Sequence, residues 1–309
     1  MLQQWSDLWL CEPALRDSVL FPGPSPLPEE AVDDAHALLE LTRRSAEDDF
    51  VLDFQGRRWR VRHDRLSLGG PWWRLRQLPT VAPTLDSLPS PLPAAVVQAL
   101  MAPGLRSGGL VLITGAAGAG KTTTASAVLA SRLRAFGGAA CTIEDPPEMP
   151  LAGWHGPGWC SQAAVAGERP EDWTEAFRCA LRSQPVATPA MLLVGELRLA
   201  EAARMSLRAA SNGFLVLTTA FGSDLPSALQ ALARLAGDAG DTLLASLLRV
   251  AIFQRLEHGR LSARMLVSTG PATPLAARIR AGQWSHLASD LMVQAATTQA
   301  PSKPAELSG

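Results

Sequence analysis

The stretch Gly109–Leu133, GLVLITGAAGAGKTTTASAVLASRL, decides how the chain is read. It opens as an unbroken apolar run of strand length and closes as a small-residue helix. Between them lies a glycine-rich turn. Gly115, Gly120, Lys121 and Thr122 satisfy the spacing G-x-x-x-x-G-K-[ST] in the strand–turn–helix setting that gives this pattern its meaning. Glycines let the main chain curl until successive N–H groups point inward at phosphate oxygens, and the start of the helix favours an anion. Lys121 suits the β and γ phosphates of a nucleotide, and the Thr122 hydroxyl suits Mg²⁺. A chance glycine-rich turn is the bland alternative, but it would not explain the flanking strand and helix. Gly115, Gly118, Gly120, Lys121, Thr122 and Thr123 are therefore expected to bind ATP with Mg²⁺.

Two acidic strand ends follow. AACTIEDPPEMP (139–150) carries Glu144, Asp145 and Glu148 where open α/β sheets present ligand-facing groups. Taken alone, such an acidic turn is more often simply solvated. PAMLLVGELRLAEA (189–202) is a second apolar strand, and it ends on Glu196. With a phosphate loop upstream, Glu196 is the expected carboxylate on the Mg²⁺ side.

Length and composition bound the rest. The chain has 309 residues, enough for two cores, and a net charge of −1 that offers no global field for nucleic acid or anionic membrane. Cys11, Cys141, Cys160 and Cys179 show no CxxC pair or metal-ligand spacing and read as reduced thiols. No apolar run approaches the roughly 20 residues of a membrane span, and the opening MLQQWSDLWLCEP lacks a signal-peptide layout. These features predict a cytoplasmic protein without membrane insertion.

Residues 1–80 read as an α+β domain. EEAVDDAHALLELTRRS is helical, DFVLDFQ and GRRWRVRHD are strands joined at Gly56, and WWRLRQLP follows. Residues 81–93 are a Pro/Ser-rich linker. Residues 94–295 alternate apolar strands with helices, the pattern of a mostly parallel sheet. Residues 296–309, ATTQAPSKPAELSG, read as a disordered tail. AGWHGPGWCS is expected to be a Gly-rich loop with His155 structural. Among the nine tryptophans, Trp5, Trp9, Trp72 and Trp73 are expected mainly in a core.

In this order, the segments resemble the type II/type IV secretion ATPases, most closely the pilus-retraction (PilT-type) branch, from SDLWL to LMVQAA. GAAGAGKTTT resembles the Walker A motif, TIEDPPE the Asp box and LLVGELR the Walker B motif. RVAIFQRL and GPATPLAARIRAGQ resemble the C-terminal helices. The resemblance implies a RecA-like P-loop domain preceded by a smaller PAS-like domain. It implies that Glu148 orients or deprotonates the attacking water and that Glu196 acts on Mg²⁺. It further implies that an N-terminal domain lends arginines to a neighbour's nucleotide, Arg60 and Arg76 matching best with Arg62 and Arg74 as alternatives. The implied partners are further copies in a hexameric ring, an inner-membrane platform protein, and a possible paralogous ATPase. The implied location is peripheral to the inner membrane. Retraction is favoured over assembly by the missing CxxC module, and an accessory ATP-binding subunit is the alternative.

The pattern also breaks. Where the family has a histidine box after Walker B, this chain reads NGFLVLTTAFGSD, with Phe214 and Phe221 in place of the histidines. Leu197, Arg198 and Leu199 replace the usual Arg-Asp. A phenyl ring can neither accept a proton nor hydrogen-bond a γ-phosphate, so hydrolysis is expected to be slow.

Overall fold

The computed structural model describes residues 2–165 and 169–299. The chain forms two compact units. The first comprises the residues up to Ala82 together with Pro146–Pro150, and the second runs from Pro83 to Asp145 and from Leu151 onward.

The first unit is one antiparallel sheet with a helix. Its strands are β1 (Asp7–Cys11), β2 (Val19–Phe21) and β3 (Ser25–Pro26), then, after helix α1 (Val32–Thr42), β4 (Asp49–Phe54), β5 (Arg57–Asp64) and β6 (Trp72–Gln77). Their order is β3-β2-β1-β6-β5-β4. Helix α1 forms because Ala35, Leu38, Leu39 and Thr42 share one buried face, and Asp33 and Asp34 favour its positive end. The β4–β5 hairpin closes through Gln55 and Gly56, both at positive φ, as a tight hairpin turn demands. The core joins Leu8, Leu10, Leu20, Leu38, Trp59, Val61, Trp73 and Leu75. The tryptophans divide: Trp73 is core and Trp5 packs against it, whereas Trp9 is exposed, with its ring tilted against Phe21 and the Arg74 guanidinium over it.

The second unit begins with α2 (Ala94–Leu100), β7 (Gly109–Gly115), α3 (Lys121–Phe136) and β8 (Gly138–Glu144). It continues with β9 (Gly153–His155), β10 (Gly158–Ala164), α4 (Pro170–Arg182), β11 (Ala190–Glu196), α5 (Ala200–Ser211) and β12 (Leu215–Phe221). Then come α6 (Leu225–Ala236), α7 (Gly240–Leu247), β13 (Leu248–Glu257), β14 (Arg260–Val267), α8 (Pro274–Arg280) and α9 (Leu287–Gln299). The sheet order is β14-β13-β7-β12-β11-β8-β10-β9, parallel throughout except for β14 and β9 at its edges. The inner strands β7, β11 and β12 are near-continuous apolar runs, as expected of strands covered by helices on both faces. The fold is thus a mostly parallel P-loop type sheet with helices, preceded by a small α+β unit.

Three expectations change. RVAIFQRL is not helical: it is β13, held between β7 and β14, because its β-branched and aromatic residues fill a doubly buried strand. A short apolar run does not distinguish strand from buried helix by its period. AGWHGPGWCS is not a loop but the β9–β10 hairpin, with His155 hydrogen-bonded to the Leu151 carbonyl at 2.8 Å. The helix α9 extends to Gln299, past the predicted start of the tail; residues 300–309 lie outside the described residues.

The linker is anchored over most of its length. Leu85 and Leu92 are buried. The Leu85 N–H donates to Ser131 Oγ at 2.9 Å, and Ser90 Oγ accepts from the Leu261 N–H at 2.7 Å. Pro-rich composition indicates an extended chain, but two apolar side chains suffice to pin it to the second unit.

Candidate nucleotide site

Parallel strands deliver their carboxyl ends to one edge, which brings Gly115 (β7), Glu144 (β8), Glu196 (β11) and Phe221 (β12) to the same rim of the second unit. Between β7 and α3 the loop runs through Gly115, Gly118 and Gly120 at φ +151°, +74° and +79°, values that residues with a Cβ rarely adopt. At Gly115 a Cβ would meet the Gln254 carbonyl oxygen at 2.4 Å, so no side chain fits there. Lys121, Thr122 and Thr123 form the first turn of α3, whose free N–H groups and dipole favour an anion. All six predicted binding residues therefore lie in one loop and helix start.

Glu196 reaches the rim through a bulge. The β11–β12 register shifts between Val194 and Glu196, and Thr218 Oγ1 donates to the Gly195 carbonyl at 3.0 Å. Such an extra residue re-aims the side chain that follows it. Glu196 Oε1 lies 3.7 Å from Lys121 Nζ, while Arg198 Nε and Nη2 each lie 2.8 Å from Oε2. Arg198 stands at a departure from the family pattern, and it grips the Walker B carboxylate. Beside it a cleft of about 230 Å³ is lined by Asp145, Trp173, Glu196, Arg198 and Leu199.

Lys121 is only 7% exposed. Burial pushes its ammonium below its ordinary value, against the opposing pull of the Glu196 charge. Its Nζ donates to the Ala116 carbonyl at 2.9 Å and sits 4.2 Å from the centroid of the Phe221 ring.

The two phenylalanines in the place of the histidine box separate. Phe221 pairs with Gly115 at the phosphate end of β12. Phe214 precedes β12 at its other end, buried in the core, with its carbonyl accepting from the Gly109 N–H at 3.0 Å. Roughly 20 Å of strand lies between them. Of the two residues standing in place of the histidines, Phe221 lies over Lys121 and Phe214 is packed in the core.

Gln254 is the supporting residue that motif reading misses. Wholly buried on β13, its Nε2 donates to the Ala119 carbonyl at 2.5 Å, while Thr114 Oγ1 donates to the Ile252 carbonyl at 2.9 Å. These bonds tie the phosphate loop to a strand more than 130 residues downstream. Its sequence signal is slight: a Gln that ends the apolar run VAIF of β13 and stands beside Arg255.

The other predicted groups belong to the first unit. Arg60 faces Arg76, and Arg62 faces Arg74, across the β5–β6 ladder. Because side chains alternate along a strand, all four share the face opposite buried Trp59, Val61, Trp73 and Leu75. Arg60 is clasped by Asp49 at 2.9 Å and by Glu148 at 2.6 Å. Burial works to lower the Arg60 guanidinium, but the hydrogen bonds and charges of Asp49 and Glu148 prevail and raise it. Arg76 pairs with Asp7 at 2.7 Å and Arg74 with Asp64 at 2.6 Å. Arg62 is exposed and makes no ion pair among the described residues. Glu148 is thus bound by the very arginine expected to serve a neighbour's nucleotide.

The residue set fits a magnesium nucleotide. The loop is conformationally reserved for glycine, and its lysine and carboxylate converge. No group of three or more His, Cys, Asp or Glu side chains that could hold a metal ion occurs among the described residues. Mg²⁺ takes one or two protein oxygens and completes its shell with phosphate and water, and Thr122 and Glu196 are the side chains at this rim that would supply them.

Residues 43–267, well over half of the chain, match the family model described as Type II/IV secretion system protein. The chain belongs to that family. Among curated relatives of this secretion family, it is 36% identical over 148 residues to the type II secretion system protein HxcR of Pseudomonas aeruginosa, covering 48% of this chain and 29% of that one. It is 32% identical over 209 residues to the uncharacterized protein YggR of Escherichia coli, covering 64% of this chain and 59% of that one. The chain therefore spans less than two thirds of these relatives' length. Among solved structures, the pilus retraction motor PilT with bound ADP superposes with TM-score 0.71 at 24% identity, covering 94% of this chain and 86% of that one. The Legionella pneumophila ATPase DotB gives 0.69 at 20% identity, covering 96% and 89%. At these identities the likeness is one of fold.

Proposed function

We propose that this member of the Type II/IV secretion family is an ATP-binding, slowly hydrolysing motor subunit, and that it serves pilus retraction. The observation carrying this reading is the convergence of Lys121 Nζ and Glu196 Oε1, 3.7 Å apart beside a glycine-specific loop. Loop amides and Lys121 would hold the triphosphate, and Thr122 and Glu196 would hold a magnesium ion, which would supply charge neutralisation on the transferring phosphoryl group. Glu148 would be the carboxylate that orients the attacking water, and its ion pair with Arg60 would have to open for that role. With Phe221 in place of a proton-carrying side chain, this position can neither accept a proton nor hydrogen-bond the γ-phosphate.

The motif series that resembles the PilT-type branch supports retraction. In this reading the chain forms a hexameric ring, works against an inner-membrane platform protein beside a possible paralogous ATPase, and resides in the cytoplasm at that membrane. Arg198 on Glu196 and Arg60 on Glu148 favour the second reading, an accessory ATP-binding subunit with little turnover. Steady-state phosphate release tests the pair. A slow, Mg²⁺-dependent rate that vanishes in Lys121→Ala supports the motor. ATP binding without release supports the accessory subunit, and no ATP binding by the wild type overturns both.

A further inference from the structure

Lys121 is surrounded by its own chain. An ammonium has three N–H directions, and three groups lie around this one: the Ala116 carbonyl at 2.9 Å, Glu196 Oε1 at 3.7 Å and the Phe221 ring at 4.2 Å. An incoming phosphate must displace one of them. The Ala116 contact is internal to the loop, and Glu196 is pinned by Arg198. The Phe221 ring is 51% exposed, and among the described residues its one aromatic or cation contact is with this ammonium. That attraction is largest for a desolvated ammonium, and Lys121 is buried. The negative face of the same ring also repels a phosphate oxygen approaching the lysine. A Cβ on Gly222 would come within 2.7 Å of the Ala228 Cβ, so the backbone after Phe221 packs closely on α6, and rotation of the side chain is the simplest way for the ring to leave.

We propose that Phe221 is an affinity-setting residue of the nucleotide site, a cation–π brake that occupies the Lys121 ammonium and must swing aside before polyphosphate binds. This inference rests on the nucleotide reading above and assigns a role to the ring itself, beyond the loss of a histidine. The test is calorimetric titration of full-length wild type, Phe221→Ala, Phe221→Leu and Lys121→Ala with Mg²⁺-ATP. Both Phe221 variants are expected to bind about fivefold to thirtyfold more tightly than wild type, the range that a desolvated cation–π contact converts to. Leucine keeps the bulk and removes the π face. Tightening in Ala but not Leu therefore overturns the cation–π account in favour of simple obstruction. Unchanged or weaker binding in both overturns the brake, weaker binding meaning that the ring supports the ligand. Thermal unfolding of each variant checks that the fold is retained. If wild type and the Phe221 variants all fail to bind, the nucleotide reading itself falls and the brake with it. Binding that is present in wild type and lost only in Lys121→Ala keeps that reading while the Phe221 variants decide the brake.

Discussion

Lys121 has to carry its charge in a site that has removed most of its water. Burial lowers its ammonium below the ordinary 10.5, with Glu196 opposing. The charged form attracts phosphate, so affinity falls as pH rises through the lowered folded value. We expect Mg²⁺-ATP affinity to decline at a lower pH than an exposed lysine would allow, as measured by titration from pH 7 to 10. The stability linkage has the opposite sign: the folded state binds the proton less well than the unfolded chain, so this site's contribution improves as pH rises. Phe221 offers the complementary test. Phe221→His restores a proton-carrying ring at the phosphate end of β12, and phosphate release is expected to rise by up to about 10²–10⁴-fold. An unchanged rate would place the limit elsewhere. Phe214→His is expected to give no such gain, because Phe214 lies in the core at the far end of the strand.

The elements explain why these side chains meet. The bulge at Gly195 sets the aim of Glu196, and β13 supports the phosphate loop from beneath. Gln254→Leu keeps most of the volume but deletes the bond to the Ala119 carbonyl and leaves that oxygen buried without this donor. Such a loss costs about 1–3 kcal/mol. Because it falls on the loop, nucleotide affinity is expected to drop roughly tenfold or more, beyond any fall in melting temperature. A drop in stability alone, with affinity intact, would make Gln254 an ordinary core residue. The β5–β6 ladder shows the same dependence on pairing. Arg58, Arg60, Arg62, Arg74 and Arg76 line one face, and all but Arg62 are already matched to carboxylates.

For the whole molecule, that pairing bears on assembly. Arg60 and Arg76 were the expected donors to a neighbour, yet both are held by acids of their own chain, whereas exposed Arg62 makes no ion pair among the described residues. If a ring forms, Arg62 is the arginine that can be lent without breaking an internal pair. Arg62→Ala is expected to lower phosphate release by up to about 10³-fold, the low end for an arginine finger, while light scattering still reports a ring. Loss of the ring itself would make Arg62 an assembly contact. A monomer in wild type at every ATP concentration would remove the hexameric reading altogether.

Much was legible from local pattern, because local chemistry suffices for it. The glycine spacing at 115–120, the apolar runs of β7 and β11 and the arginine-rich alternation of β5 and β6 each carry their structure within a few residues. RVAIFQRL did not, since whether a short apolar run becomes strand or helix depends on the neighbours that cover it. Nor did the partners of the charged groups: the sequence shows Arg60, Glu148, Arg198 and Glu196 as four separate charges. What the sequence by itself determined is a phosphate loop on a parallel sheet with acids at its strand ends, because backbone conformation and strand direction follow from residue type and order. Only the tertiary structure decided which charges are spent on each other, that Gln254 props the loop, and that Phe221 rather than Phe214 covers the lysine. Coulomb and cation–π energies depend on separations of a few ångströms between residues far apart in the chain.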